Sequence, residues 1–213
     1  MDRVPKVESR ENPWQCGHGA GLHPCPHFRL TVPVGGTMLS GGRIAKPTAR
    51  ATSSGGNGIV KLTEYLDPGL VVFGIRPGDV SDILSQLIGP LVVDGTLNGS
   101  ERVLEALLAR EKVLSTGIGS GIAVPHAISE AIGTPQLIIG LSPDGVDFHA
   151  MDDAPVNVFF VLLSPPDRAG HHIRLLARIA RLARHPEFVD ALRGCETGDQ
   201  VLSHIHAYES EHV

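Results

Sequence analysis

The most constraining feature of this 213-residue chain is a glycine-rich stretch that ends in a proline and a histidine. Within Arg110–His126, glycines alternate with other residues at positions 117, 119 and 121, and a short apolar run follows at 122–124. The glycines predict a tight loop whose backbone N–H groups can approach an anion, because no Cβ stands in the way. The apolar run predicts a short buried strand that Pro125 ends, so that His126 sits on a stiff support. The pattern indicates a histidine that can take up and hand on a phosphoryl group.

The same residues also fit a plainer interpretation, in which a glycine-rich connection enters a core strand and His126 is a surface or hydrogen-bonded histidine. Nucleotide binding is not indicated, because the stretch lacks the lysine of a P-loop and the third glycine of a dinucleotide-binding turn at its proper offset. A serine hydrolase is not indicated either, since Ser115, Ser120 and His126 form no G-x-S-x-G elbow.

The segment Ser115–His126 (Ser-Thr-Gly-Ile-Gly-Ser-Gly-Ile-Ala-Val-Pro-His) resembles the active-site segment of enzyme IIA domains of the mannitol/fructose type. These domains belong to the bacterial phosphoenolpyruvate-dependent phosphotransferase system, and the group includes a nitrogen-related regulatory branch. The resemblance covers about residues 62–208. It implies that His126 is the phosphorylated residue and that Arg110, in an Arg-Glu pair sixteen residues earlier, lies near the phosphate. Ser120 departs from the family, whose members more often carry a larger charged or polar residue there, and this bears on partner preference.

A second site histidine is indicated at the start of a later helix, where His171 and His172 come before an apolar stripe. Histidine is not favoured at the positive end of a helix, but a phosphate site would explain it, because a phosphate is stabilised by both imidazole and helix N-terminal amides. In the family that this chain resembles, the histidine is followed by an apolar residue and then by leucine. His172, followed by Ile173, fits that pattern better, so His172 is the predicted site residue and His171 a bystander.

The resemblance implies a phosphotransferase with a covalent phosphohistidine intermediate. Nε2 of His126 attacks the phosphorus carried by a phosphohistidine carrier protein, and the carrier's imidazole leaves. Such a transfer depends on donors around the phosphoryl oxygens. The expected donors are His172, Arg110, the Thr116 hydroxyl, and the backbone N–H groups around Gly117, Gly119 and Gly121. No cofactor and no metal are expected.

Three roles for this chemistry remain open from the sequence. The phosphoryl group passes to a sugar-specific IIB component in sugar transport, or the phosphorylation state switches protein partners, as in the nitrogen-type regulatory branch. The alternative of a different class is a non-catalytic binding module on the same fold, which takes up no phosphate at His126.

Length and composition place this chemistry in a cytoplasmic protein. The chain can hold one good domain plus an appendage, and no apolar run is long enough to cross a bilayer. The N-terminus shows no basic start followed by an apolar segment, so secretion is not indicated. Its three cysteines, Cys16, Cys25 and Cys195, make no disulfide framework, which fits a reducing compartment.

The first 58 residues differ from the rest in composition and charge. They carry seven Lys or Arg against three Asp or Glu, a net charge of +4, whereas the remainder carries eleven against twenty, a net charge of −9. Residues 1–58 show no periodic apolar pattern and are rich in Gly and Pro, so they are predicted to be a disordered tail. Cys16, Cys25 and nearby histidines within them lack the regular short spacings of a zinc site. The acidic body argues against nucleic acid as a partner.

Strand and helix patterns alternate through residues 62–208, which predicts an α/β domain with a mixed sheet covered by helices on both faces, a three-layer sandwich. A helix from Asp79 is expected to break or kink at Gly89-Pro90. Ser100 is expected to cap a second helix that brings Arg110 to the glycine loop. The predicted strands are 70–75, 122–124, 136–141 and 155–163. The last of them is predicted to be central, because it is continuously apolar. The further predicted helices are 169–184, 186–193 and 198–208.

Overall fold

The computed structural model describes residues 60–211 except residues 94 and 98. The predicted tail over residues 1–58 and the group of cysteines and histidines within it lie outside the described residues. In the described part of the chain, no helix is both long enough and apolar enough to cross a membrane.

Within the described residues, one strand and two helices are followed by five consecutive strands and then by three helices, so the alternation of strands and helices predicted from the sequence is not observed. The strands are β1 (Leu66–Phe73), β2 (Gly117–Gly119), β3 (Ile122–Ala123), β4 (His126–Ile128), β5 (Gln136–Val146) and β6 (Val156–Ser164). The helices are α1 (Val80–Val93), α2 (Ser100–Val113), α3 (Ala169–Leu182), α4 (Pro186–Arg193) and α5 (Gly198–Glu211). Short 3₁₀ turns at Leu62–Glu64 and Pro166–Arg168 precede β1 and α3.

All six strands belong to one mixed sheet with β6 at its centre. The order is β1-β5-β6-β3-β2, and β4 also pairs with β6. β5 runs antiparallel to β6, whereas β3 and β4 both run parallel to it. A strand with neighbours on both edges and helices on both faces is mainly apolar, because little of either face meets water. The central position predicted for this strand is therefore confirmed.

Successive side chains of β6 divide the core into two halves. Phe159, Val161 and Leu163 pack in one apolar cluster with residues of α1 and α2. Val158, Phe160 and Leu162 point to the opposite face and pack in a second cluster with residues of α3, α4 and α5. This alternation follows from the two-residue period of a strand. It confirms the predicted three-layer α/β sandwich.

A buried ion pair joins the beginning of the domain to its last helix. Glu209 on α5 accepts hydrogen bonds from Arg178 Nε on α3 at 3.1 Å and from the Leu62 backbone N–H at 2.9 Å. The side chains of Arg178 and Glu209 are 6% and 2% exposed. A carboxylate this deeply buried needs its cationic and N–H partners, so this contact holds the first turn, α3 and α5 together.

Two helices differ from what the sequence predicts. Of the break or kink predicted at Gly89-Pro90 the break is wrong, since α1 continues to Val93, where Leu91 beyond the proline is buried in the α1–α2 cluster and its packing offsets the lost hydrogen bond. Ser100 is the first residue of α2 and makes no capping hydrogen bond with its side chain. The cap position is occupied by Gly99 at φ 108°, a backbone conformation that glycine adopts without steric cost.

Candidate active site

The glycine-rich stretch folds into a β-hairpin made of β2 and β3. Ser120 and Gly121, at φ 57° and 74°, form its two-residue turn. Positive φ at both central residues is the geometry of a type I′ turn, whose twist matches that of the paired strands. The hairpin seats β3 beside β6, with Ile122 opposite Val158 and Ala123 opposite Phe159.

His126 is the first residue after a short break in the pairing along this edge of β6. Leu162 of β6 donates its N–H to the carbonyl of Pro125 at 2.9 Å, and pairing then resumes with His126 opposite Leu162. Pro125 thus lies between two segments that are both hydrogen-bonded to β6. The backbone on both sides of His126 is fixed by the central strand, and the imidazole remains only partly buried.

Both nitrogens of the His126 ring have defined partners. Nδ1 lies 2.8 Å from the carbonyl oxygen of Val124, and Arg110 donates from Nε to Nε2 at 3.1 Å. A carbonyl oxygen can only accept, so Nδ1 carries the proton, and the Arg110 bond to Nε2 requires a lone pair there. The geometry thus selects the tautomer in which Nε2 is nucleophilic.

Arg110 reaches His126 from the last turn of α2. Its Nη1 donates to the carbonyl of Leu114 at 2.9 Å, just beyond the end of the helix, while Nε donates to His126. The guanidinium is therefore held on one side by the end of its own helix and on the other by the imidazole. The sequence placed Arg110 near this histidine, and the structure brings the two together.

The register of α3 puts the two adjacent histidines in different surroundings. His172 is 5% exposed, its ring centroid lies 5.6 Å from that of His126, and its Nδ1 lies 2.8 Å from Ser164 Oγ. His171 points away, with Nε2 2.5 Å from the Tyr65 hydroxyl. The pair facing each other is thus His126 and His172, as the sequence predicts.

Burial keeps both of these imidazoles neutral. Burial, aided by the nearby His126, lowers the pKa of His172 from 6.5 to about 4. Burial also lowers the pKa of His126, and the Arg110 charge lowers it further, although the Val124 carbonyl and the Glu111 carboxylate partly oppose the shift. Near neutral pH one ring can therefore offer a lone pair, and the other can offer an N–H without a positive charge.

Thr116 and the three glycines make contacts within the protein. The Thr116 backbone N–H and hydroxyl both donate to the Glu111 carboxylate, at 2.8 and 2.5 Å, and the residue is 4% exposed. A Cβ at Gly117 would lie 2.7 Å from the Ala150 backbone, so this glycine allows close approach of a neighbouring segment. At the hairpin turn, the Ser120 N–H donates to Asp152 at 2.8 Å. The structure thus brings Arg110, His126 and His172 together and directs the Thr116 and Ser120 donors to protein acceptors.

Sequence reasoning missed two side chains that support the site, Glu111 and Ser164. Glu111 belongs to the Arg-Glu pair. Its carboxylate accepts two hydrogen bonds from Thr116, which fixes the connection from α2 into the hairpin. Ser164 is the last residue of β6, fully buried and in contact with His172. The only signal available was position, since a polar residue that ends a central strand next to a helix start is well placed for a site.

Apolar side chains lie exposed on or beside the elements that carry these residues. Leu114, Ile118, Ile128 and Ile173 are 61%, 47%, 43% and 66% exposed, and each lies in or beside an element that carries a site residue. We call these four side chains the apolar rim. Large aliphatic side chains left exposed on the elements of a polar site are a feature of protein docking surfaces.

Comparison with known proteins agrees with this arrangement. Residues 64–208 match the family model for "Phosphoenolpyruvate-dependent sugar phosphotransferase system, EIIA 2". The fructose-specific EIIABC component of Bacillus subtilis is 29% identical over 150 residues, which cover 70% of this chain and 24% of that protein. This chain thus spans about a quarter of that relative. The nitrogen regulatory protein of Pseudomonas aeruginosa is 32% identical over 141 residues, 66% of this chain and 92% of that protein.

A solved structure shows the same fold. The nitrogen regulatory protein IIA-Ntr from Neisseria meningitidis superposes with a TM-score of 0.62 at 26% identity, covering 68% of this chain and 98% of that one. The order of strands and helices and the family match over most of the described residues lead to one assignment. The chain belongs to the EIIA 2 family of the phosphoenolpyruvate-dependent sugar phosphotransferase system, a family that includes nitrogen regulatory proteins.

Proposed function

We propose that residues 62–208 form a cytoplasmic phosphoryl-carrying domain in which Nε2 of His126 accepts a phosphoryl group from a phosphohistidine carrier protein and passes it on. The observation that carries the proposal is the pair of hydrogen bonds on His126. Val124 holds the proton on Nδ1, so the Nε2 lone pair is free of a proton and directed towards Arg110. A fixed neutral imidazole is a competent nucleophile at neutral pH.

The transfer balances without an added acid or base. The Nε2 lone pair of His126 forms the new N–P bond as the bond between phosphorus and the donor imidazole breaks, and its electron pair returns to the donor nitrogen. Arg110 now bonds the attacking nitrogen, so it must turn its N–H groups from Nε2 to the phosphoryl oxygens as the new bond forms. A guanidinium suits that exchange, because its several N–H donors match phosphate oxygens.

His172 supplies the second donor in this proposal. It is neutral and almost fully buried beside His126, so an N–H on its ring can bond a phosphoryl oxygen without an exposed charge to attract water. Preorganised donors at a centre where charge develops are worth most in such a dry site. The Thr116 hydroxyl and the N–H groups at Gly117, Gly119 and Gly121 remain predicted contributors. To act, the Thr116 hydroxyl must leave Glu111 and the Gly117 N–H must leave Ser115.

The apolar rim supports the proposal that both the phosphoryl donor and the phosphoryl acceptor are proteins. Leu114, Ile118, Ile128 and Ile173 offer the exposed aliphatic surface that a partner covers when it brings its own phosphorylated or accepting residue to His126. We propose a IIB component as the acceptor, in keeping with a relative named EIIABC. The nitrogen regulatory relatives support the second role, in which the phosphorylation state of His126 switches target proteins.

Phosphorylation with purified components tests the proposal. The full chain is incubated with phosphoenolpyruvate and the general phosphotransferase proteins, and intact mass is recorded. We expect one acid-labile phosphoryl group on the wild type and none on His126→Ala. His172→Ala should slow the transfer about 10²–10³-fold, the size of losing one preorganised donor.

His171→Ala is the matched control, because His171 bonds Tyr65 on the outer side of the same helix turn. Its transfer rate should stay within a factor of about two of the wild type, well below the loss expected for a site donor. Stable labelling of His126→Ala at another residue would contradict the assignment. Normal transfer in His172→Ala together with slow transfer in His171→Ala would show that the roles of the two histidines are reversed.

A further inference from the structure

Ser164 lies in a buried position where its hydroxyl has few possible hydrogen-bond partners. It is the last residue of β6, pairs with Ile128 of β4, and accepts the Ser129 N–H on its carbonyl at 3.0 Å. Its side chain is completely buried. Within residues 60–211 the hydroxyl meets one hydrogen-bond partner, His172 Nδ1, at 2.8 Å.

The burial of Ser164 decides which atom carries the proton in this bond. If Nδ1 of His172 were protonated, it would donate to Oγ, and the serine proton would be left without an acceptor in a site closed to solvent. A buried hydroxyl proton without an acceptor is strongly disfavoured. If the serine donates to Nδ1 instead, both groups are satisfied, and the single ring proton of neutral His172 must sit on Nε2.

The two facing histidines therefore have opposite tautomers. The Val124 carbonyl keeps the His126 proton on Nδ1, so its Nε2 is a lone pair. The Ser164 hydroxyl keeps the His172 proton on Nε2, so that ring offers an N–H. One ring is prepared to attack phosphorus, and the other is prepared to donate to the oxygens bound to it.

We propose that Ser164 is a positioning residue that fixes His172 in its Nε2–H tautomer and thereby makes it a neutral donor to the phosphoryl group on His126. The role as donor to phosphate rests on the proposed function, whereas the tautomer does not. Ser164 touches neither His126 nor the phosphate in this scheme and acts through His172 alone.

Nitrogen-15 NMR of the histidine rings in the full-length protein tests the tautomer directly. We expect the wild-type His172 ring to show a protonated Nε2 and an unprotonated, hydrogen-bonded Nδ1, and the His126 ring to show the reverse. A protonated Nδ1 on wild-type His172 would overturn the proposal. This measurement needs no partner protein, so it decides the tautomer even if a Ser164 variant fails to fold.

Substitutions then test the effect on transfer. Ser164→Ala should lower the single-turnover rate about tenfold, the loss expected for one neutral hydrogen bond, without changing the apparent affinity for the donor protein. Ser164→Thr keeps the hydroxyl and should recover most of the rate. Wild-type transfer by a folded Ser164→Ala would overturn the proposal.

Ser142→Ala is the control for losing a buried strand hydroxyl. Ser142 is 3% exposed and donates to the Ile75 carbonyl at 3.2 Å, on β5 and away from both histidines. Its transfer rate and the His172 tautomer should match the wild type. A slow transfer in Ser142→Ala equal to that in Ser164→Ala would show a general effect on stability and overturn the specific role. A wild-type chain with the expected tautomer but no phosphate uptake would refute the proposed function and leave the tautomer assignment standing.

Discussion

The depressed pKa of His172 predicts a measurable loss of stability in mild acid. In the folded protein this pKa is about 4, against 6.5 for an ordinary histidine. Between these two values the unfolded chain binds a proton that the folded chain excludes, so the free energy of unfolding falls as the pH falls from about 6.5 to about 4. One pKa unit corresponds to about 1.4 kcal/mol, so the loss reaches about 2 kcal/mol at pH 5 and approaches a limit of about 3.5 kcal/mol well below pH 4.

Comparison of the wild type with His172→Gln isolates this contribution. Urea unfolding followed by circular dichroism gives the free energy of unfolding of both proteins at pH 7, 6 and 5. His126 and His171 also have lowered pKa values through burial, but they are present in both proteins, so their own contributions cancel in the difference apart from the coupling between His126 and His172. We expect the stability of the wild type relative to the variant to fall by about 2 kcal/mol between pH 7 and pH 5.

A difference that stays constant from pH 7 to pH 5 would refute the reasoning, since it would mean that folded His172 protonates as readily as a histidine in water. His126→Gln provides a further check. Burial is the larger cause of the His172 shift, and the neighbouring His126 is the smaller one. In His126→Gln the pH dependence due to His172 should therefore become smaller but persist.

Two substitutions test what holds the domain together. Glu209→Ala should lower the free energy of unfolding, measured by thermal melts, by about 3–5 kcal/mol, because it leaves the Arg178 charge buried without a partner. Its control is Asp190→Ala, which breaks an exposed ion pair and should change the free energy of unfolding by less than about 1 kcal/mol. Gly140→Ala should cost about 1–3 kcal/mol, because its Cβ would overlap side chains from α1 and the segment after β1. Gly133→Ala, with nothing within 4 Å of the new Cβ, is its control. Equal losses for the two variants of either pair would contradict the packing argument.

Elements with a clear apolar pattern were readable from the sequence. β6 was predicted from a continuous apolar run, and α3 from an apolar stripe centred on Ile173, Leu176, Ala177 and Ala180 and widened by Leu175, Ile179 and Leu182. The helix is present, but only the widening residues are buried, whereas Ile173, Ala177 and Ala180 are exposed. The period of a strand or helix indicates that an apolar face exists, and a stripe this wide leaves open which side of it meets the core. The resemblance of the glycine stretch to a known family then supplied His126, Arg110 and His172 as the residues to bring together.

Contacts between distant segments could not be read in the same way. The glycine spacing predicted a tight loop whose N–H groups approach an anion, but the structure forms a hairpin in which Gly117 lies against Ala150 and Ser120 bonds Asp152. Both partners come from a segment about thirty residues later in the chain. A glycine required for close approach to protein and one required for close approach to a ligand look identical in sequence, because both need only the absence of a Cβ.

The central strand β6 fixes the positions of both His126 and His172. His126 is fixed by its pairing with Leu162, and two residues later the same strand ends in Ser164, whose hydroxyl bonds His172. The relative position of the two rings is therefore set by a three-residue span of a strand that is buried on both faces. A strand packed on both sides is the least deformable part of such a domain, since any shift disturbs two cores at once. Because β6 fixes both rings, His172 on α3 is held facing His126, while Arg110 bonds the same His126 ring from the end of α2.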